Sequence, residues 1–394
     1  MNRREFLAAA AAALPLSALA AESTRTWRVG VIGHTGRGNY GHGLDTMWLL
    51  MPETEIVGVA DADPAGLAQA GQRLRTDRTF GDYRALLDET KPDIVAICSR
   101  DTDQHRDMLL AAVDAGARGI YIEKCFCRTL TEADEMVAAC DRSGVKCAVA
   151  HRNRWHPAMP AVQQFIADGG LGKLLEIRTR GKEDDRGGCE DLWVLGSHPL
   201  NLAHAFAGDP VACATTILQD GRPIDPTDFR EGGDAIGLIA GNELHARFET
   251  ESGVPVFFDS IRRAGIPVTG FGLQLIGVKG IIDLKVDQPS FAHWCPGNPF
   301  NPTDQPRAWT PISSAGVGEP EQLSNVREEV ATHVLPARDL LASIEENRQP
   351  LCSARDGATT IEMIAGAYAS HRVGGGRIAL PLTDRGHPWA GWQA

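Results

Sequence analysis

Short apolar runs alternate with amphipathic stretches through the first 150 residues. Buried strands are predicted at 27–32, 55–61, 94–98, 120–124 and 146–150, where consecutive apolar residues leave no polar face. Between them, helical periodicity predicts helices from about 39 to Pro52, then at 64–75, 83–88, 104–115 and 131–141. Such an order closes economically as a doubly wound parallel sheet, with ligands expected at the carboxyl ends of the strands. Beyond His151 the rhythm changes. A helix at 157–168 precedes strands at 174–180, 235–239, 243–250, 254–261, 272–278 and 280–286, several joined by tight turns. Helices at 325–347 and 356–370 follow a stretch at 291–322 rich in Pro, Gly and Asn, which reads as an ordered loop or an oligomer arm. The fold class expected is α/β: a doubly wound domain over 21–150, then an α+β domain with a mainly antiparallel open sheet over 151–394.

The first strand breaks into Gly33-His34-Thr35-Gly36-Arg37-Gly38. A glycine turn between a strand and a helix presents backbone amides to an anion, and the helix dipole adds to them. The dinucleotide fingerprint has glycine at its first, third and sixth positions; Gly33 and Gly38 fill two, and Thr35 holds the third. Alone, the turn is equally readable as a flexible connection. Asp61 ends the second strand at the spacing where a carboxylate accepts hydrogen bonds from adenosine ribose and repels a 2′-phosphate, so NAD is favoured over NADP. The plainer reading is that Asp61 caps the next helix. Ser99, Lys124 and His151 end further strands on the same edge.

Charge and composition narrow the class. A net charge of −12 over 394 residues, with no basic run, excludes nucleic acid as the main partner. The nine cysteines, scattered through apolar segments, read as core residues, and Cys125-Phe126-Cys127 lacks a second pair, so no metal is expected. Arg3-Arg4 ahead of an alanine-rich run ending in Ala18-Leu19-Ala20 resembles a twin-arginine export signal over 1–20, and the run is too short and Pro-broken for stable membrane insertion. A periplasmic or otherwise exported location follows as an expectation. There a nucleotide would have to be held tightly and regenerated within each cycle.

Six motifs in order, namely Val31-Ile32-Gly33 with Gly36-Arg37-Gly38, Val59-Ala60-Asp61, Gln104-His105, Glu123-Lys124, Asn153-Arg154-Trp155 and Gly196-Ser197-His198, together resemble the Gfo/Idh/MocA family of glucose-fructose oxidoreductase and inositol dehydrogenase. The resemblance covers nearly the whole chain after residue 20 and implies a Rossmann domain, a sugar or polyol substrate and a homo-dimer or homo-tetramer. It adds His34, Thr35, Arg37, Ser99, His105, Glu123, Lys124 and Arg154 to Gly33, Gly36, Gly38 and Asp61 as cofactor contacts. Lys124 is implied beside the nicotinamide and the substrate hydroxyl, where an ammonium stabilises a developing alkoxide. Cys125 stands where the family has proline.

His198 is the implied general base. The family's aspartate positions before and after it hold Val194 and Asn201, so Asp191 and Asn201 become candidates to orient it or meet substrate. Lys182, Glu183 and Asp185 read either as sugar-hydroxyl partners or as a solvated loop, and Trp155 and Trp193 offer a stacking surface. These residues imply an NAD(P)-dependent oxidoreductase using hydride transfer, or, on the same fold, an NAD-dependent glycoside hydrolase working by transient oxidation and elimination. A non-catalytic binding protein is the third reading.

Overall fold

A computed structural model describes residues 25–264, 271–288 and 290–392; the expected export signal, residues 1–20, lies outside them. Six parallel strands form the first sheet: β1 (Trp27–Ile32), β2 (Thr54–Ala60), β3 (Thr79–Phe80), β4 (Ile94–Ile97), β5 (Gly119–Ile122) and β6 (Lys146–Val149). Their order, β3-β2-β1-β4-β5-β6, reverses direction between β1 and β4, and a crevice at that switch point is where such sheets take ligands. β4, β5 and β6 are buried at every residue, as expected for strands covered by helices on both faces.

One crossover departs from the sequence expectation. In place of a helix from residue 39 to Pro52 the chain makes successive turns and a single 3-10 turn at Met47–Leu50. Gly36, Gly38, Gly41 and Gly43 all take positive φ, as does Asn39, so right-handed helix cannot propagate through them. The turn instead folds onto the sheet edge. Gly38, at φ +78°, passes so close to the next crossover that a Cβ there would lie 2.3 Å from the Arg100 amide nitrogen.

The second sheet is mixed and mostly antiparallel. Leu174–Arg180 lies at its centre, antiparallel to Gly272–Gly277 on one side and parallel to Val256–Ile261 on the other. Outward from these run Gly280–Lys285 and Ala292–Pro296 on one flank, and Glu243–Thr250 and Pro210–Gln219 on the other. The stretch read as a loop or arm at 291–322 contributes three strands, Ala292–Pro296, Thr310–Ser313 and Gly316–Val317, at the sheet's edge. Its prolines hid them; Pro296 ends its strand beyond the three residues paired with Thr310–Ser313, and Pro311 lies outside the two-residue pairing with Gly316–Val317, so neither leaves a gap in those ladders. Residues 235–239, expected as one strand, hold only the last residue of a 3-10 turn, Gly233–Ala235, and a two-residue strand, Leu238–Ile239, paired with Arg230–Glu231.

The helix Ala354–Arg372 packs on both domains, touching Leu130–Ser143 and β6 of the first and Pro210–Gln219 of the second. A capping box at Ser353 and Asp356 starts it. All nine cysteines are free and buried. Among the described residues no helix is long and apolar enough to cross a membrane, and no group of His, Cys, Asp and Glu could hold a metal ion.

Because Gly38 combines a left-handed conformation with backbone contact, Gly38→Ala is expected to lower the unfolding free energy by about 3 kcal/mol. Urea unfolding reads this as a lower midpoint at unchanged slope, and a wild-type midpoint would contradict it.

Candidate active site

The carboxyl ends of β1, β2, β4, β5 and β6 deliver Gly33, Asp61, Ser99, Glu123-Lys124 and His151 to one edge, and helix Ser197–Ala207 of the second domain brings His198 against it. Glu123 is buried and ionised. Burial works to raise its pKa, but the hydrogen bond from His42 Nδ1 at 2.5 Å, with the charges of His42 and Lys124, brings it down to about 2. Its other oxygen accepts the Lys124 amide at 2.6 Å.

Lys124 is 4% exposed, and its Nζ donates to the Val194 carbonyl at 2.7 Å. That carbonyl ends helix Cys189–Val194, just before the chain breaks at Gly196. The Lys124–Cys125 peptide is cis, and Cys125 Sγ donates to the Trp193 carbonyl at 2.9 Å. His198 meets His151 with their Nδ1 atoms 3.3 Å apart and their rings edge to face. Burial, then the His151 and Lys124 charges, hold His198 well below its ordinary pKa. Burial and the same lysine bring His151 to about 3. Both imidazoles are therefore neutral near pH 7, beside a buried cation.

Several residues expected here do other work. Asp191 accepts from Ser260 Oγ at 2.6 Å and from the amides of Glu183 and Lys182, so it fixes the 181–183 loop and does not orient His198. Burial raises its pKa. Asn201 points away, donating to Thr360 Oγ1 at 3.0 Å on the long interdomain helix. Arg154 is committed to the carbonyls of Asn201 and Leu351 and to Asp356, and Trp155, buried, gives its Nε1 hydrogen bond to Asp339 and presents no open stacking face. Trp193 is 1% exposed and is core. His105 bridges two carbonyls, Ser99 at 2.7 Å and Phe126 at 3.1 Å, and is a buried strut between two strand-end loops.

Glu183 is buried, clamped by Arg180 and by the Ile261 amide. Asp185 is an exposed partner of Arg263, and Lys182 lies 3.9 Å from Asp184, so this run is a loop held by its own charges. Ser99 Oγ donates to the Arg37 carbonyl, His34 pairs with Gln104, and the Arg37 guanidinium is held by Asp101 and Asp103.

The dinucleotide donor set is present: a glycine turn at the switch point, Asp61 at the end of β2, and Ser99 beside β1. The turn is closed on itself, however. Gly36 N donates to Asn39 Oδ1, Arg37 N and Asn39 N donate to the His34 carbonyl, and Thr35 N donates to Asp61. The Tyr40 ring covers Gly33, where a Cβ would lie 2.2 Å from it, and the Arg73 guanidinium lies over that ring 4.6 Å from its centroid. His42 and His151 complete the polar cluster. His42 carried no sequence signal except its place just after the glycine turn.

Comparison with known proteins agrees with this layout. Residues 27–151 match the model of the GFO_IDH_MocA oxidoreductase family, NAD-binding Rossmann fold. The D-apiose dehydrogenase of Paraburkholderia graminis is 27% identical over 347 residues, 83% of this chain and 84% of that protein. The levoglucosan dehydrogenase of Pseudarthrobacter phenanthrenivorans is 24% identical over 47% of this chain and 50% of that protein. Among solved structures, a levoglucosan dehydrogenase in complex with NADH and L-sorbose superposes with a TM-score of 0.71 at 19% identity, covering 91% of this chain and 99% of the other. An NAD-binding oxidoreductase from Klebsiella pneumoniae gives 0.70 at 21% identity, covering 91% and 100%. At these identities the superpositions show the shared fold.

The depressed imidazoles fix how stability responds to acid. Unfolded, His151 and His333 protonate near pH 6.5; folded, burial keeps both neutral down to about 3. Below pH 6.5 the unfolded state then binds more protons, so each histidine subtracts up to ~1.4 kcal/mol per pH unit until its folded pKa is reached. The urea midpoint is expected to fall steadily from pH 7 to pH 5, and His151→Gln to flatten that slope; a midpoint constant over the range would contradict the assignment.

Proposed function

We propose that this chain, whose residues 27–151 match the Gfo/Idh/MocA family model, is a member of that family and an NAD-dependent oxidoreductase acting on a hydroxyl of a sugar or polyol. The observation that carries the reading is the buried Lys124 ammonium at the end of β5, set beside a neutral histidine pair. The relatives named for D-apiose and levoglucosan support a carbohydrate substrate.

Lys124 Nζ donates one hydrogen bond to the Val194 carbonyl, and an ammonium has three N–H groups to place. A substrate hydroxyl at this edge would take another, which lowers the hydroxyl's pKa and stabilises the alkoxide as it forms. His198, neutral at pH 7, can accept the departing proton. Held so close to a like charge it keeps that proton poorly, and His151 Nδ1, 3.3 Å away, is the nearest relay. NAD, when bound, would supply the acceptor for hydride from the carbinol carbon. Gly33 to Gly38, Asp61 and Ser99 would hold it. Glu123 fixes the Lys124 backbone through its amide and so positions the ammonium.

The same reading includes export through residues 1–20 and assembly as a homo-dimer or homo-tetramer through the sheet face opposite the helices. That face carries ion pairs such as Arg178 with Glu176 and His245 with Asp259, which a second copy could share. Outside the cytoplasm the nucleotide would have to be reoxidised on the protein, by a second sugar for example.

Denaturing the purified protein and analysing the supernatant for NAD(H) tests the held cofactor; an empty supernatant would remove the prosthetic form of the proposal. Incubation with free sugars should yield a keto-sugar or lactone, whereas release of the aglycone from aryl glycosides without net oxidation would favour the redox-assisted hydrolase. Lys124→Ala is expected to reduce turnover about 100- to 1,000-fold, the range for removing a transition-state charge partner, while leaving nucleotide content unchanged. A variant of near wild-type activity would remove Lys124 from the mechanism.

A further inference from the structure

The carboxylate expected to read adenosine ribose is already fully engaged by the chain. Asp61 is 2% exposed. Thr35 N lies 3.0 and 3.1 Å from its two oxygens, Thr35 Oγ1 donates to Oδ2 at 2.7 Å, and Asp63 N donates to Oδ1 at 3.0 Å. A carboxylate offers about four lone-pair sites, and these donors occupy both oxygens. The Thr35 side chain is seated against the first turn of helix Pro64–Leu74, where only a glycine leaves room: a Cβ on Gly66 would lie 1.9 Å from Thr35 Oγ1. Tyr40 closes the other side, over Gly33, and its phenol is raised well above its ordinary pKa by burial and by the Asp61 charge.

We propose that Thr35, standing where the dinucleotide fingerprint has glycine, is an internal competitor for the ribose site: its amide and hydroxyl occupy the two Asp61 oxygens that a ribose diol would use, and nucleotide binding must displace it. The proposal rests on the NAD reading above. Thr35 thereby determines affinity for the nucleotide. The binding-competent state, with Thr35 withdrawn, is only a fraction of the free protein, and the apparent dissociation constant rises by the inverse of that fraction. The displaced segment is the same loop that carries His42 onto Glu123. Occupancy of the ribose end is therefore mechanically linked to the group that positions Lys124.

The test uses NADH fluorescence titration of the full-length protein, freed of co-purified nucleotide by native charcoal treatment, with wild type, Thr35→Gly, Thr35→Val, Thr35→Ser and Asp61→Ala. Removing one hydrogen bond to a charged acceptor should tighten NADH binding about tenfold in Thr35→Gly and Thr35→Val. Thr35→Ser, which keeps the hydroxyl, should bind as wild type does. Asp61→Ala removes latch and ribose acceptor together and should show no gain. Wild-type dissociation constants for both Thr35→Gly and Thr35→Val would overturn the proposal while leaving the NAD reading intact. Failure of every form, wild type included, to bind NADH would overturn the NAD reading and the latch with it.

Discussion

Two carboxylates buried at strand ends must be met by hydrogen-bond donors, and that requirement shapes the loop between β1 and the 3-10 turn. An ionised carboxylate taken out of water without partners costs several kcal/mol, so donors are drawn to it. Asp61 is met by Thr35 and Asp63, Glu123 by His42 and the Lys124 amide. The loop is thus pinned at both ends, eight residues of it spanning the switch point where sheet order reverses. Four glycines at positive φ make this path possible and make a helix there impossible.

The same low-dielectric edge sets the chemistry available to it. Lys124 stays in place through the Val194 carbonyl, and its charge depresses the basicity of two imidazoles that burial has already made reluctant to protonate. Such a pair accepts a proton only transiently, which suits transfer better than storage. His333, held near pKa 3 by burial, shares a hydrogen bond with Tyr121 behind the site, while the His42 bond and charge and the Lys124 charge keep Glu123 ionised against its own burial. A cation, a carboxylate and neutral histidines occupy one edge because each sets the protonation of the next.

Most of the fold was legible in the chain, and the reasons for the exceptions are physical. Uninterrupted apolar strands separated by amphipathic helices could pack in few ways, and they form the parallel, doubly wound sheet expected; the two-residue strand Thr79–Phe80 was too short to leave a pattern. The segment after β1 was misread because its apolar residues, Leu44, Met47 and Trp48, keep helical spacing while its glycines forbid the helix. Of the site, Lys124 and His198 were legible because each follows a motif at a strand or helix end. Asp191, Asn201, Trp155 and Trp193 have the right chemistry for a sugar site and Arg154 for a nucleotide contact, but their partners, Ser260, Thr360, Asp339, the core and Leu351, lie far along the sequence. Only tertiary structure shows that those side chains are already committed.

The bond from Lys124 to Val194 also explains how the domains are registered. Helix Cys189–Val194 ends in carbonyls that have no intrahelical donor, and a cation or thiol from outside can satisfy them. Lys124 Nζ takes the Val194 carbonyl and Cys125 Sγ the Trp193 carbonyl, so two consecutive residues of the first domain cap a helix of the second. Gly196, packed so closely on Phe258 that a Cβ would lie 2.6 Å from its ring, then turns the chain into the helix bearing His198. The ammonium and the imidazole are therefore placed by one junction. Any movement that opened the domains would part them and uncap the helix at the same time, which couples closure of the molecule to assembly of its proton-transfer groups.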